Sequence, residues 1–232
     1  MSSRKYKILL TCEHASNAVP PKYRDRFSLW SLATHRGYDL GALKLAKFLK
    51  QKLKVDLIHG EVSRLLVDLN RSDKNPECVN CAKVSADECE RILKKYYKPY
   101  RDKVLRSLLK LKSRDVPILH ISVHSFTRCL RGDRRTTEVG ILFDPARRGE
   151  TAFAQELKKH LSSQRVRTKF NYPYKGTLDG FTVALRKIFK DKNYLGIELE
   201  VCSDQLRGSK FQRTSRLIIA ALNEAISHGD IR

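Results

Sequence analysis

The sequence predicts an α/β fold: one domain, spanning residues 1–232, with a mixed, twisted central sheet flanked by helices on both faces. Three observations predict it. Short, apolar, β-branched runs alternate with longer segments whose apolar residues recur at helical spacing. Ionisable residues gather where several of those runs end. A chain of 232 residues with 41% hydrophobic content can bury one compact core, and no internal repeat or low-complexity tract divides it.

In chain order, Tyr6 to Cys12 is a short strand that ends at Glu13-His14-Ala15-Ser16-Asn17, and Pro20-Pro21 stops its continuation. From Asp39 to Leu53 the spacing of Leu40, Leu43, Ala46, Leu49 and Leu53 predicts a helix. Val55 to Ile58 reads as a second strand and Leu65 to Leu69 as a third, ending at Asn70-Arg71-Ser72. The polar stretch Asp73 to Lys83 carries Pro76 and reads as a loop. Ser85-Ala86-Asp87-Glu88 is a capping box that opens a helix running to about Lys112, with a kink or break expected at Pro99. Pro117 to His124 is a fourth strand, apolar enough to be central, and Val139 to Phe143 a fifth. Helices are expected over Glu150 to Leu161 and Phe181 to Phe189, a late strand over Tyr194 to Val201, and a closing helix over Arg213 to Ile226.

Composition narrows the function. No apolar run approaches the ~18 residues of a membrane span, and the first ten residues hold too short an apolar run for a secretory signal. A soluble, cytoplasmic protein is the expectation. Six cysteines are too sparse for a disulfide scaffold, so reduced thiols are expected. Cys78-Val-Asn-Cys81, with Cys89 beyond, lacks the second ligand pair of a zinc motif. The net charge of +22 favours anionic partners, nucleic acid among them. The basic residues are nevertheless spread along the chain, as at Lys44, Lys47, Lys50, Lys52 and Lys54, and no nucleic-acid-binding motif accompanies them.

The chemistry-bearing residues stand at strand ends: His14, Asn70-Arg71, His124-Ser125 and, within the last strand, Glu198 and Glu200. Open α/β sheets form their sites outside the carboxyl ends of the strands. Two imidazoles, an arginine and a carboxylate from separate strands make the parts list of a hydrolytic metal site. Each piece alone has a plainer reading. A strand-end histidine is more often a hydrogen-bonded structural residue, and Asn-Arg after a strand is usually a turn. The carboxylates are harder to set aside. Alternation puts Glu198 and Glu200 on one face, and burying them without partners costs several kcal/mol.

Taken together, six segments resemble the N-formylglutamate amidohydrolase family: Cys12 to Pro20 (CEHASNAVP), Tyr38 to Ala42 (YDLGA), Ser63 to Ser72 (SRLLVDLNRS), His124 to Thr127 (HSFT), Glu138 to Pro145 (EVGILFDP) and Gly196 to Glu200 (GIELE). Their order also resembles that of the zinc carboxypeptidase and aspartoacylase superfamily. The resemblance implies a zinc-carboxypeptidase-like, phosphorylase/hydrolase-like fold. It also implies one Zn2+ per chain and hydrolysis of an N-acyl amino acid, with N-formyl-L-glutamate the leading substrate. His14 and His124 become metal ligands. For the third, the superfamily places an acidic residue where this chain has Asn17, whereas the amidohydrolase family keeps one at Asp39; a carboxylate suits zinc better, and Asp39 is preferred. Glu198 is implied as the base and Arg134 as a catalytic cation. Arg64, Asn70, Arg71 and Ser125 are implied in binding a small anionic substrate, with Lys175 a further cation. Other readings are a different N-acyl amino acid or carboxy-terminal peptide as substrate, or a nucleic-acid-associated protein on a hydrolase scaffold.

Overall fold

A computed structural model describes residues 5–79, 85–130 and 132–228. Its elements are β1 (Lys7–Cys12), α1 (Leu29–Ala33), α2 (Ala42–Leu53), β2 (Asp56–His59), α3 (Ala86–Ile92), α4 (Lys98–Leu111), β3 (Ile118–Phe126), β4 (Cys129–Leu130), β5 (Asp133–Arg134), β6 (Val139–Leu142), α5 (Arg148–Ser163), β7 (Thr168–Phe170), α6 (Phe181–Ile188), β8 (Tyr194–Cys202) and α7 (Lys210–His228). The main sheet has the order β2-β1-β3-β8-β6-β7. Its pairings are parallel except for β6 against β8, so the sheet is mixed, as expected.

Strand alternation divides the two faces of the sheet by chemistry. Ile8, Leu10, Leu119, Ile121, Val123, Leu195, Ile197, Leu199 and Val201 point one way, into a core shared with Leu45 and Leu49 of α2, Phe153 and Leu157 of α5, and Ile218 and Leu222 of α7. On the other face Leu9, Ile118 and Tyr194 pack against Tyr100, Val104 and Leu108 of α4 and Phe181 and Leu185 of α6. Towards the carboxyl ends of β1, β3 and β8 that second face turns polar: Thr11, Glu13, His120, Ser122, His124, Glu198 and Glu200 are all buried there. The same alternation that builds the apolar core thus lines up a column of polar side chains where the parallel strands end.

The helix expected from Ser85 to about Lys112 forms, opened by Ser85 Oγ accepting from Glu88 N, and it passes through Pro99. A π-helical turn, Leu93–Tyr97, immediately precedes the proline. Proline lacks a donor and crowds the preceding turn, and local widening absorbs both defects. The third expected strand does not form. Leu65 to Leu69 is a turn in which Leu66 and Val67 N–H groups bond to Ser63 O, with one isolated bridge from Val67 to Val79. A serine whose hydroxyl and carbonyl both bind local backbone diverts an apolar run from the ladder. Residues 80–83 of the expected loop lie outside the described residues. The thiol expectation also changes, because Cys89 is disulfide-bonded while Cys12, Cys78, Cys129 and Cys202 are free.

Gly140 on β6 shows how closely the cleft is built. A Cβ there would collide with the Tyr172 carbonyl oxygen, so only glycine lets the 171–180 loop cross the sheet at that point. Arg186 of α6 fastens the same loop. Its guanidinium donates to Gly176 O at 2.5 Å and Gly196 O at 2.8 Å while pairing with buried Glu150 at 2.9 Å.

Candidate active site

The polar column opens into a cleft of about 140 Å³ lined by residues from seven parts of the chain, among them His14, Asp39, His124, Glu198, Arg71 and Lys175. His14 leaves the end of β1, and its carbonyl accepts from Asp39 N at 2.9 Å, which pins the start of the α2 segment against it. Asp39 then faces both histidines. Its Oδ2 lies 2.9 Å from His124 Nδ1, and its Oδ1 lies 3.5 Å from His14 Nδ1. Ser125 N also donates to Oδ2, at 3.2 Å, which orients the carboxylate.

Each imidazole is held from behind by a carboxylate. His14 Nε2 lies 2.7 Å from Asp68 Oδ1. His124 Nε2 lies 3.2 Å from Glu13 Oε2, with Ser122 Oγ 2.8 Å from the ring and donating to Glu13 at 2.5 Å. Tyr100 OH donates to the other Glu13 oxygen at 2.9 Å. Asp68 is itself fixed by Arg64 at 2.8 Å and by Asn70 N at 3.0 Å. A carboxylate on the far nitrogen sets the tautomer and leaves the near nitrogen as the ligand atom. Here both near nitrogens are Nδ1, and both point at Asp39.

The electrostatics follow from this packing. Burial would raise the Asp39, Asp68 and Glu13 carboxyls, but the adjoining imidazoles outweigh it and hold all three below the ordinary range. Conversely, burial would lower His14 and His124, yet their carboxylate partners raise both. Glu200 has no such compensation in full. Burial, with repulsion from Asp39 and Glu198, lifts it to about 7 against the pull of His124, and its Oε2 has no hydrogen-bond partner among the described residues. Glu198 differs. Its Oε1 accepts from Thr182 Oγ1 at 2.5 Å, and the side chain lines the cleft.

The donor set suits a zinc-like ion. His14, Asp39 and His124 each offer an atom within 4.8 Å of the others, all three residues are buried, and His14 Nδ1 has no hydrogen-bond partner among the described residues. Asn17 is exposed and absent from the cleft, which leaves Asp39 beside the histidines. Arg64, Asn70, Arg71, Ser125 and Lys175 all line the cleft. Several of them are already engaged: Arg64 with Asp39 and Asp68, Asn70 Oδ1 with Phe181 N at 2.8 Å, and Ser125 Oγ with Leu40 O at 2.9 Å. Arg134 is not brought together with them. It lies exposed on β5 and does not line the cleft, because the two-residue pairing of β4 with β5 turns it to solvent. Its neighbour Arg135 is buried and lies over the rings of Phe126 and Tyr174, and Tyr174 does line the cleft.

Sequence reasoning missed Glu13, Asp68, Ser122, Thr182 and Tyr100. Glu13 and Asp68 carried a readable signal, since Glu13 ends an apolar run beside His14 and Asp68 interrupts one two residues before Asn70. Thr182 and Tyr100 carried none, as they reach the site only through tertiary packing.

A mixed sheet with a buried, carboxylate-backed pair of imidazoles at its carboxyl edge defines an α/β fold with a polar cleft, and the family match makes it an amidohydrolase. The chain belongs to the N-formylglutamate amidohydrolase family, whose model matches residues 6–206. It is similar in structure to gene product Atu2144 from Agrobacterium tumefaciens, with a TM-score of 0.84 and 25% identity over 97% of this chain and 92% of that one. It also shares its fold with an N-formylglutamate amidohydrolase from Ralstonia eutropha JMP134, with a TM-score of 0.74 and 14% identity over 98% of this chain and 95% of that one. No curated protein sequence matches the chain.

Proposed function

We propose that the protein is a zinc-dependent amidohydrolase that cleaves N-formyl-L-glutamate to formate and L-glutamate. The observation that carries this reading is the convergence of His14 Nδ1, His124 Nδ1 and the Asp39 carboxylate beside Glu198, each imidazole backed by its own acid. These three residues would hold one Zn2+, which when bound supplies Lewis-acid activation of water and of the substrate carbonyl. Glu198, steadied at Oε1 by Thr182, accepts the proton released by the attacking water and returns it to the departing amine nitrogen. Asp68 and Glu13 keep the imidazoles in the orientation that presents Nδ1.

The family supports an N-acyl amino acid as substrate, and the cleft's volume of about 140 Å³ favours a small one. A dicarboxylate needs two cations. Arg64 is paired with Asp39 and Asp68, while Arg71 and Lys175 line the cleft from two adjoining segments, the Asn70-Arg71 turn and the 171–180 loop, with Arg71 donating to Asp179 O at 3.2 Å. These two are the proposed carboxylate anchors, Arg71 as a fork and Lys175 as a point charge.

The test is an amine-release screen of the zinc-loaded protein against N-formyl-L-glutamate, other N-acyl amino acids and short peptides. The expected result is the highest kcat/KM on N-formyl-L-glutamate. Glu198→Gln should keep the metal and lose about 10²–10⁴-fold in kcat. Wild-type turnover by that variant would remove Glu198 from the mechanism, and preference for another acyl amino acid would change the substrate but not the site.

A further inference from the structure

A second group of metal-ligating side chains stands in the helical layer over the opposite, apolar face of the sheet. The chain carries the spacing Glu-x-x-x-His twice, as Glu156-Leu-Lys-Lys-His160 on α5 and Glu224-Ala-Ile-Ser-His228 on α7. Residues four apart share one helix face, so each helix presents a carboxylate and an imidazole together. In the fold these two faces meet. Leu157 and Leu161 of α5 pack with Ile218, Ala221, Leu222 and Ala225 of α7 in the common core. Gln164 Nε2 donates to His160 O at 3.0 Å and Leu217 O at 3.3 Å, tying one helix to the other.

The imidazole rings of His160 and His228 lie 5.9 Å apart, tilted by 35°. His160 Nε2 is shielded from solvent with no hydrogen-bond partner among the described residues, and Glu156 Oε2 lies 3.5 Å from it. His228 Nδ1 lies 2.9 Å from the Glu224 carbonyl oxygen, which orients the ring, and 3.5 Å from Glu224 Oε2. One ligand atom each from His160, Glu224 and His228 falls within 4.8 Å of the others. Ligand atoms about 2.0–2.2 Å from a tetrahedral ion sit about 3.4 Å from one another. The exposed side chains of Glu224 and His228, 54% and 61% accessible, can rotate to close that difference.

We propose that His160, Glu224 and His228, with Glu156 as fourth ligand, form a structural site for a divalent transition metal. The ion clamps the last turn of α7 onto α5. Two imidazoles with carboxylates select Zn2+ over the hard, oxygen-seeking Mg2+ and Ca2+. Lys159 Nζ, 3.2 Å from Glu156, is a surface side chain that the ion displaces. The site lies across the sheet from the active-site cleft and stands whether or not zinc occupies that cleft.

The experiment compares wild-type protein with His228→Ala and Glu224→Gln. Both substitutions fall on exposed side chains, and neither touches the cleft. Each protein is stripped with chelator, titrated with Zn2+ alone, and followed by metal analysis and thermal unfolding. The wild type should take up one equivalent more than either variant. At saturating Zn2+ its Tm should rise about 5 °C further than theirs, with equal Tm values in chelator. Equal zinc uptake and equal Tm shifts in all three proteins would overturn the proposal.

Discussion

His14 and His124 illustrate how little a residue's type decides by itself. A buried imidazole can be a hydrogen-bonded core residue, as His120 is, held between Thr11 Oγ1 at 2.9 Å and Tyr194 OH at 2.7 Å. Both ring nitrogens of His120 are occupied, so it offers nothing to a ligand. In His14 the carboxylate occupies Nε2 only, and Nδ1 is left facing Asp39. Asp68 therefore matters as much as the residue it holds. On the proposed zinc site, Asp68→Asn should weaken zinc binding by about 10–100-fold in a chelator competition, with the far-UV spectrum unchanged. Asn17→Ala, on an exposed side chain, should leave that affinity where it is.

At the level of elements, the site depends on segments that never touch the reacting atoms. The Leu65 to Leu69 run is diverted into a turn, and this turn delivers Arg64 and Asp68 to the back of His14. A third sheet strand would alternate its side chains instead. Helix α6 does comparable work from the other side. It positions Thr182 against Glu198, and through Arg186 it fastens the loop that brings Tyr174 and Lys175 to the cleft. Arg186→Met should cost about 1.5–3 kcal/mol in denaturant unfolding, because buried Glu150 loses one of two guanidinium partners and keeps Arg147 at 3.1 Å. With the Gly176 carbonyl released, KM should rise more than kcat falls.

Over the whole molecule, the polar column makes stability depend on pH. Burial pushes His120 down to about 4, so the folded protein resists protonation that the unfolded chain accepts near 6.5. Stability from this group is fully present above about pH 6.5 and is lost progressively as pH falls towards 4. His120→Asn should flatten that part of the stability profile relative to wild type, by up to about 3 kcal/mol between the two limits. Chemical unfolding at a series of pH values reads it directly; an unchanged slope would assign the pH dependence to the carboxylates. The charge of +22 belongs to this scale too. Lys44, Lys47 and Lys50 lie on the outward face of α2 and away from the cleft lining, a solvated surface of the kind the spacing predicts.

Fold class and most element positions were legible in the amino-acid order alone. Periodicity sets which face of a helix or strand is buried, and His14, Asp39, His124 and Glu198 all lie within residues 6–206, the range that the family matches. Only the tertiary structure decided which acids stand behind the histidines, that Asp39 rather than Asn17 faces them, and that Arg134 points to solvent. The first two of those outcomes depend on contacts between residues 25 to 111 positions apart, such as His14 with Asp39 and Glu13 with His124. Local spacing carries no information about such distances. They are set when two layers of helices close on one sheet and every buried charge must find a partner.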